Sequence, residues 1–191
     1  LVGLPSMPGA ALLVGWLVLA ALGVRVILKR PSMAWLLVLP ILLIRIIFFA
    51  ILDDLPPETG DPPNYIALAR SVLAGDGLLL QDPMYGPNLR ALYPPLYPLL
   101  LAGNAAVFGL GAGSIFGLNL LIDFAAAGTL LWIGRGLDRP HIAHASAFLY
   151  LIWPAFVLNT PVANKEGLTL LLALQVLLAF VRFEQRRKWT A

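Results

Sequence analysis

Long apolar runs separated by short polar connections dominate the hydrophobic pattern of the chain. A helix of roughly 20 apolar residues crosses a bilayer core about 30 Å thick. The pattern therefore predicts an all-α fold, a polytopic transmembrane helical bundle of about five spans that forms a single domain over 1–191. The five predicted spans cover 9–28, 33–52, 113–134, 142–158 and 167–183.

A sixth apolar stretch, 93–108, is shorter and begins with a proline cluster. Lys29 and Arg30 follow the first span, which predicts that this end lies inside and that 53–92 is external. If 93–108 crossed fully, the basic connection 135–139 and the basic tail would both lie outside, against the positive-inside rule. We therefore expect 93–108 to dip into the outer leaflet or to lie on it as a surface helix.

The external loop 53–92 is the longest polar interval of the chain. Within it, apolar positions recur at helical spacing over 62–74, which predicts an amphipathic helix lying on the membrane surface. Gly75 and Gly77 are expected to end this helix. Its predicted apolar face consists of Tyr65, Leu68, Ala69, Val72 and Leu73.

Composition supports the membrane interpretation. Apolar residues make up 60% of the 191 residues and charged residues 12%, whereas soluble domains carry roughly 45–50% and about 25%. These values exclude an ordinary soluble enzyme, a disordered chain and a nucleic-acid-binding module. The net charge is only +3, and the chain contains no cysteine, which excludes thiolate catalysis and cysteine zinc sites. Nucleotide-binding loops and common hydrolase motifs are absent from the sequence.

Asp61 is the first candidate catalytic residue. It precedes Pro62 and Pro63, and an Asp before proline is typical of a helix N-cap. However, the two prolines have no N–H group to donate, which leaves much of the acceptor capacity of the carboxylate unused. The alternative interpretation is a general base or a metal ligand at the membrane surface.

Glu166 is the second candidate, in the short connection before the last span. One interpretation is an acid in the first helical turn, stabilised by the helix dipole and capped by Asn164. The other is a second site acid on the same side of the membrane as Asp61. The neighbouring Lys165 is a candidate for contact with a phosphate as a point charge.

Arg25, Arg45 and Asp123 lie inside predicted spans. Charges within a membrane are costly and point to function by default, here to a polytopic transporter. The alternatives are an ion pair between Arg45 and Asp123 and, for Arg25, a side chain that reaches the interface from its helix end. The sequence leaves these interpretations open.

The order of these features resembles the GT-C superfamily of membrane glycosyltransferases, in particular the protein O-mannosyltransferases and bacterial aminoarabinose transferases. The first external loop supplies an acid, a tyrosine and an amphipathic run. A proline-rich aromatic motif then leads to a short apolar helix. A Trp-Pro pair and a second acidic loop follow. The residues that match are Asp61, Tyr65, Ala69, Leu73, Gly75, Gly77, Tyr93, Pro94, Pro95, Leu96, Tyr97, Pro98, Trp153, Pro154, Asn164, Lys165 and Glu166.

The resemblance implies an enzyme, an integral membrane glycosyltransferase of the plasma (inner) membrane with its active site facing outside. It would move a sugar from a polyprenyl-phosphate donor to an acceptor. The expected partners of the protein are this lipid-linked sugar and membrane lipid, and no nucleic acid is expected. Asp61 and Glu166 match the acids of the two catalytic loops, and Tyr65, Tyr93 and Lys165 are the expected substrate-binding residues. A transporter and a non-catalytic membrane partner subunit are the alternatives.

The resemblance also bears on the metal and on the extent of the chain. In the oligosaccharyltransferase branch an acid stands two residues before the second-loop Glu, and Asn164 occupies that position here. A divalent metal is therefore an open expectation. The similarity covers 33–183, with 9–28 as an extra N-terminal span. Family members are commonly longer, so the chain is expected to be a fragment of a longer protein.

Overall fold

The computed structural model describes residues 18, 22–27, 29, 38–52, 61–78 and 94–189, and this part of the chain contains helices and no strand. The all-α prediction is confirmed for these residues. Residues 22–27 are helical. The following helices are α1 (Val38–Leu52), α2 (Asp61–Ala74), α3 (Leu96–Phe108), α4 (Ala112–Gly136), α5 (Pro140–Ile152), α6 (Pro154–Asn159) and α7 (Glu166–Trp189).

Among the described residues, two helices, α4 and α7, are long and apolar enough to cross a membrane. At 1.5 Å per residue, the 25 residues of α4 extend over about 38 Å, more than the apolar thickness of a bilayer. The described parts of α1 and α3 are apolar but shorter. Most of the predicted span 9–28 lies outside the described residues, and the count of five spans stays a prediction.

The centre of the fold is a three-helix arrangement of α4, α5 and α7. The helices α4 and α5 run antiparallel, since Gly134 of α4 adjoins Ala143 of α5 and Asp123 bonds to Tyr150. By contrast, α4 and α7 run parallel, because the chain returns through α5 and α6 between them. Their successive contacts pair Asp123 with Gly167, Thr129 with Gln175, and Gly136 with Gln185.

This arrangement gives the bundle two distinct ends. We call the end formed by residues 160–165 and the first turns of α4 and α7 the loop end. We call the end formed by residues 135–140 and the last turns of α7 the basic end. The helix α1 runs antiparallel to α4, since Phe49 stacks on Phe116 at 4.6 Å between ring centroids, and it therefore finishes at the loop end.

The predicted span 142–158 is not one regular helix, because the structure divides it into α5 and α6 at Trp153, and its crossing of a membrane stays a prediction. A residue before proline is driven out of the α-helical region, and Trp153 has φ −60° and ψ 126°. Pro154 then starts α6, where its missing N–H group costs nothing. The break leaves the carbonyl of Leu151 available to other donors.

At the loop end, α2 and α3 pack against each other and against the start of α4. Tyr65, Leu68 and Ala69 of α2 are buried, as predicted for an apolar face, and Tyr65 and Ala69 pack with residues of α3; the position of α2 on a membrane surface stays a prediction. Leu73, assigned to the same face from sequence, is 46% exposed. The helix ends as predicted, with Gly75 at φ 87° and a bond from the N–H of Asp76 to the carbonyl of Ser71.

The short helix α3 lies beside only the first turns of α4. Its Tyr97 bonds to Asn119, and its Asn104 bonds to Ser114. With 13 residues it extends over about 20 Å, less than the thickness of a bilayer core. The expectation that 93–108 does not cross a membrane stays a prediction, and its described part has the length of a surface or re-entrant helix.

Candidate functional site

The residues predicted to form the site belong to the starts of α2 and α7. Asp61 is the first residue of α2, and its side chain lies outside the described part of the structure. Tyr93 also lies outside the described residues. Tyr65 follows Asp61 by one helical turn, and Lys165 immediately precedes Glu166, the first residue of α7. Three of the five predicted residues can therefore be located with their side chains.

Tyr65 and Lys165 contact each other although 100 positions separate them in the sequence. The ammonium Nζ of Lys165 lies 5.9 Å from the centroid of the Tyr65 ring, within the range of a cation–π interaction. The ring is fully buried, and its edge meets the ring of Tyr97 at 5.3 Å between centroids. This contact joins the first turn of α2 to the start of α7.

Asn119 of α4 fastens the connection 160–165 beneath this contact. Its side-chain amide donates to the carbonyl oxygens of Thr160 and Val162 at 2.9 and 2.8 Å, and its oxygen accepts the hydroxyl of Tyr97 at 2.9 Å. One buried amide therefore ties α3, α4 and the loop together. A polar residue in an apolar helix was a signal that could have identified Asn119 from the sequence.

Burial raises the pKa of the Tyr97 hydroxyl above its usual value, and hydrogen bonds with the side chain of Asn119 and the backbone of Asn164 offset part of this rise. The hydroxyl therefore stays protonated at neutral pH and acts as a donor. Its role is to position the loop and the ring of Tyr65. The sequence motif contained Tyr97, but nothing in the spacing indicated this contact.

Asn164 and Glu166 form the helix cap that the sequence suggested. The backbone N–H of Glu166 donates to the side-chain oxygen of Asn164 at 3.3 Å, and the amide nitrogen of Asn164 donates to the carbonyl of Asn159. The side chain of Glu166 is exposed at the loop end. The confirmed cap does not exclude a role for this carboxylate, because the cap uses its backbone and not its side chain.

Asn164 fits poorly as a metal ligand. Its oxygen already accepts a backbone N–H, and an amide oxygen is a weaker ligand for a divalent ion than the carboxylate found at this position in the oligosaccharyltransferase branch. In the described part of the chain, no three His, Asp or Glu side chains are close enough to share a metal ion. The side chain of Asp61 lies outside that part of the chain, and a divalent metal stays an open expectation.

Arg45 and Asp123 form the ion pair that the sequence suggested as one alternative. The guanidinium of Arg45 is fully buried and its Nη1 lies 2.5 Å from Oδ2 of Asp123. Arg45 also donates to the carbonyl of Leu151, the group released by the break at Trp153. Asp123 accepts the hydroxyl of Tyr150 at 2.6 Å. Since each charge is satisfied within the protein, the pair holds α1 to the α4–α6 region.

Comparison with known proteins adds no identification. No family model, curated protein or solved structure matches the chain.

The loop end offers two adjacent charged residues at the start of α7, close to the start of α2. Lys165 supplies a positive charge over an aromatic ring, Glu166 supplies an exposed carboxylate, and the backbone of α2 begins at Asp61 one turn from Tyr65. A cation beside a carboxylate suits a reaction in which a phosphate group leaves and a hydroxyl group loses its proton.

Proposed function

We propose that the chain belongs to an integral membrane glycosyltransferase of GT-C type that moves a sugar from a polyprenyl-phosphate donor to an acceptor on the extracytoplasmic face. The observation that carries this proposal is the contact of Lys165 with Tyr65, because it joins the start of α2, where Asp61 lies, to the start of α7, where Glu166 lies. These are the two segments that the resemblance assigns to catalysis.

The proposed reaction is a displacement at the anomeric carbon of the sugar. The acceptor oxygen forms a bond to that carbon while the bond to the phosphate oxygen of the donor breaks, and the polyprenyl phosphate leaves with the bonding electrons. The carboxylate of Asp61 takes the proton of the acceptor as general base. Lys165 attracts the phosphate as negative charge develops on the leaving oxygen.

Glu166 is assigned a second role at the acceptor side. Its exposed carboxylate beside Lys165 suits a hydrogen bond to a donor or acceptor hydroxyl group. Tyr65 keeps Lys165 at the start of α7 through its ring face, and Tyr93 is proposed to contact the donor sugar. The polyprenyl chain of the donor lies in the membrane. The long apolar helices α4 and α7 are suited to the same environment.

The test uses membranes that contain the chain, supplied with undecaprenyl phosphate that carries mannose or 4-amino-arabinose and a radioactive label in its phosphate group. The readout is the release of free undecaprenyl phosphate, which is the common product whatever the acceptor is. We expect Asp61→Asn to lower the release by about 100-fold or more, the usual contribution of a general base. Glu166→Gln is expected to lower it less, because this residue does not take the proton.

The matched control is Asp76→Asn, because Asp76 lies in the same external segment, is exposed and follows the end of α2. This variant should retain release at the level of the unchanged chain, and all variants should insert into membranes to the same extent. Full activity in Asp61→Asn would overturn the proposal. Equal losses in Asp61→Asn and Asp76→Asn would also overturn it, since charge alone would then explain the effect.

The transporter alternative gains no support from the pairing of Arg45 with Asp123. Both charges are buried, and the groups around them satisfy both partners. The non-catalytic alternative predicts that no variant at the loop end changes release, and the same assay distinguishes it.

A further inference from the structure

A polar cavity of about 380 Å³ opens at the basic end, between the last turns of α4 and α7. Its size falls within the range of small-molecule sites in proteins. The lining contains two arginines, one tryptophan and one glutamine above an apolar floor. These residues are Trp132, Arg135, Leu178, Val181, Arg182 and Gln185.

The charge of this cavity is one-sided. Arg135 and Arg182 are both exposed side chains, and no carboxylate is among the described residues that line the cavity. Within the described part of the chain, neither arginine has a carboxylate oxygen within 4.0 Å. The nearest acids in sequence, Asp138 and Glu184, do not contribute to the lining. The cavity therefore attracts anions.

The guanidinium of Arg182 is held over the ring of Trp132, with 5.1 Å between its central carbon and the ring centroid. A guanidinium that stacks on an aromatic face keeps its N–H edge available for a planar, two-pronged contact with a phosphate. Stacking also reduces the conformational freedom that the side chain would lose on binding. Arginines near helix ends also complement the helix dipole, but the dipole does not require a ring beneath them.

Gly136 and Gln185 fix the shape of the cavity. A Cβ atom on Gly136 would lie 2.8 Å from Cγ1 of Val181, so only glycine lets α7 approach the end of α4 this closely. The amide nitrogen of Gln185 then donates to the carbonyl of Gly136. That bond satisfies a carbonyl at the C-terminus of α4 that would otherwise repel an anion.

We propose that this cavity binds the phosphate headgroup of an anionic membrane phospholipid. Its lining belongs to the only two helices of the described residues that are long and apolar enough to cross a membrane, and it lies at their common end. Tryptophan prefers the membrane interface, and basic residues between membrane helices recognise anionic headgroups.

This inference rests on α4 and α7 crossing a membrane and not on the proposed sugar transfer, so the two proposals fail separately. The test adds dioleoyl phosphatidylglycerol or dioleoyl phosphatidylcholine to the full chain in non-ionic detergent and counts bound lipid by native mass spectrometry. We expect the unchanged chain to retain phosphatidylglycerol in preference to phosphatidylcholine. Arg182→Gln should lower the bound fraction about fivefold, the effect of one basic side chain beside an anionic lipid.

The matched control is Arg139→Gln, which removes the same charge at the same end but does not line the cavity. Its bound fraction should stay within about twofold of the unchanged chain, since an exposed side chain that does not line the cavity contributes only a charge screened by solvent and salt. Arg182→Lys should give an intermediate loss, because lysine keeps the charge and loses the planar stack. This variant also keeps the test valid if Arg182→Gln does not fold.

Three outcomes would overturn the proposal. The first is equal retention of phosphatidylglycerol and phosphatidylcholine. The second is an equal loss in Arg182→Gln and Arg139→Gln. The third is displacement of bound phosphatidylglycerol by inorganic phosphate at the concentration at which phosphatidylglycerol itself half-saturates the chain. The cavity would then recognise a free anion and not a lipid.

Discussion

Arg45 of α1 and Asp123 of α4 form a buried ion pair, with 2.5 Å between Nη1 and Oδ2, although 78 positions separate them in the sequence. The second carboxylate oxygen accepts the hydroxyl of Tyr150 at 2.6 Å, and the guanidinium also donates to the carbonyl of Leu151 at 2.9 Å. A buried charge is tolerated when such bonds satisfy it, and removing one partner is far more costly than removing both.

The first prediction concerns this pair. Arg45→Met and Asp123→Asn should each lower the free energy of unfolding by about 3–5 kcal/mol, because each leaves one buried charge without its partner. The double variant should lose less than the sum of the two single losses, since no unpaired charge remains. Thermal unfolding in detergent, followed by circular dichroism, measures these differences.

The matched control pair is Arg70→Met and Asp76→Asn, both at exposed positions of the α2 segment. These changes should stay within about 0.5 kcal/mol, as surface substitutions usually do. Strictly additive losses for Arg45 and Asp123 would show that the two side chains do not interact, and the structural assignment of the pair would be wrong.

The second prediction concerns Asn119. Asn119→Ala should lower the free energy of unfolding by about 2 kcal/mol or more, because it removes the donor to the carbonyls of Thr160 and Val162 and the acceptor for the hydroxyl of Tyr97. The same change should speed hydrogen exchange in residues 160–165, which Asn119 fastens to α4. Exchange followed by mass spectrometry reports both the site and the size of this effect.

The control for Asn119 is Asn104→Ala. The amide of Asn104 donates to the backbone and the hydroxyl of Ser114, at the far end of α3 from the loop. It should cost less stability and leave exchange in 160–165 unchanged. If Asn119→Ala also left this exchange unchanged, its amide would not be what holds the loop.

The third prediction concerns the close approach of α4 and α5. A Cβ atom on Gly134 would collide with Cβ of Ala143 and lie 3.0 Å from its Cα, so Gly134→Ala should destabilise the protein by about 1–3 kcal/mol through overpacking. Gly128→Ala, in the same helix, meets nothing within 4 Å and should stabilise it by up to about 1 kcal/mol. Thermal unfolding of both variants compares the two sites, and opposite signs are the expected result.

Sequence reasoning predicted the helices well because apolar periodicity and glycine positions act locally. The end of α2 at Gly75 and the cap formed by Asn164 are both local features, and both are confirmed. The break at Trp153 is also local, and Pro154 indicates it, but the apolar run 142–158 favoured a single span. A long apolar run predicts how long an apolar segment is, but it does not predict whether that segment forms one unbroken helix.

The contacts between helices lay beyond sequence reasoning for a different reason. Which polar side chains meet depends on the rotation of each helix about its axis and on its shift along that axis relative to its neighbours. The spacing of residues within one helix specifies neither quantity. The pairing of Arg45 with Asp123 was one of two open interpretations, and only the packing of α1 on α4 decided it. A polar residue in an apolar helix marks Asn119 itself, but its three bonds reach residues 22 to 43 positions away, which the spacing within one helix does not predict.

The fourth prediction concerns the contact of Tyr65 with Lys165, and it assumes the proposed sugar transfer. Tyr65→Leu should raise the KM for the polyprenyl-phosphate donor by about 2- to 30-fold, because a cation–π interaction contributes about 0.5–2 kcal/mol and leucine has no ring face. Tyr65→Phe keeps the ring and should give the smaller increase. Lys165→Met should raise KM and also lower kcat, since it removes the charge that stabilises the leaving phosphate.

Arg70→Gln is the control for Lys165→Met, because Arg70 lies on the exposed side of the helix that carries Tyr65 and its loss removes the same single positive charge. The initial rate of undecaprenyl phosphate release over a range of donor concentrations separates KM from kcat. An equal increase in KM for Tyr65→Phe and Tyr65→Leu would mean that the hydroxyl and not the ring positions Lys165. An unchanged kcat in Lys165→Met would place the ammonium group outside the transition state, where its contact with Tyr65 would only hold α2 against α7.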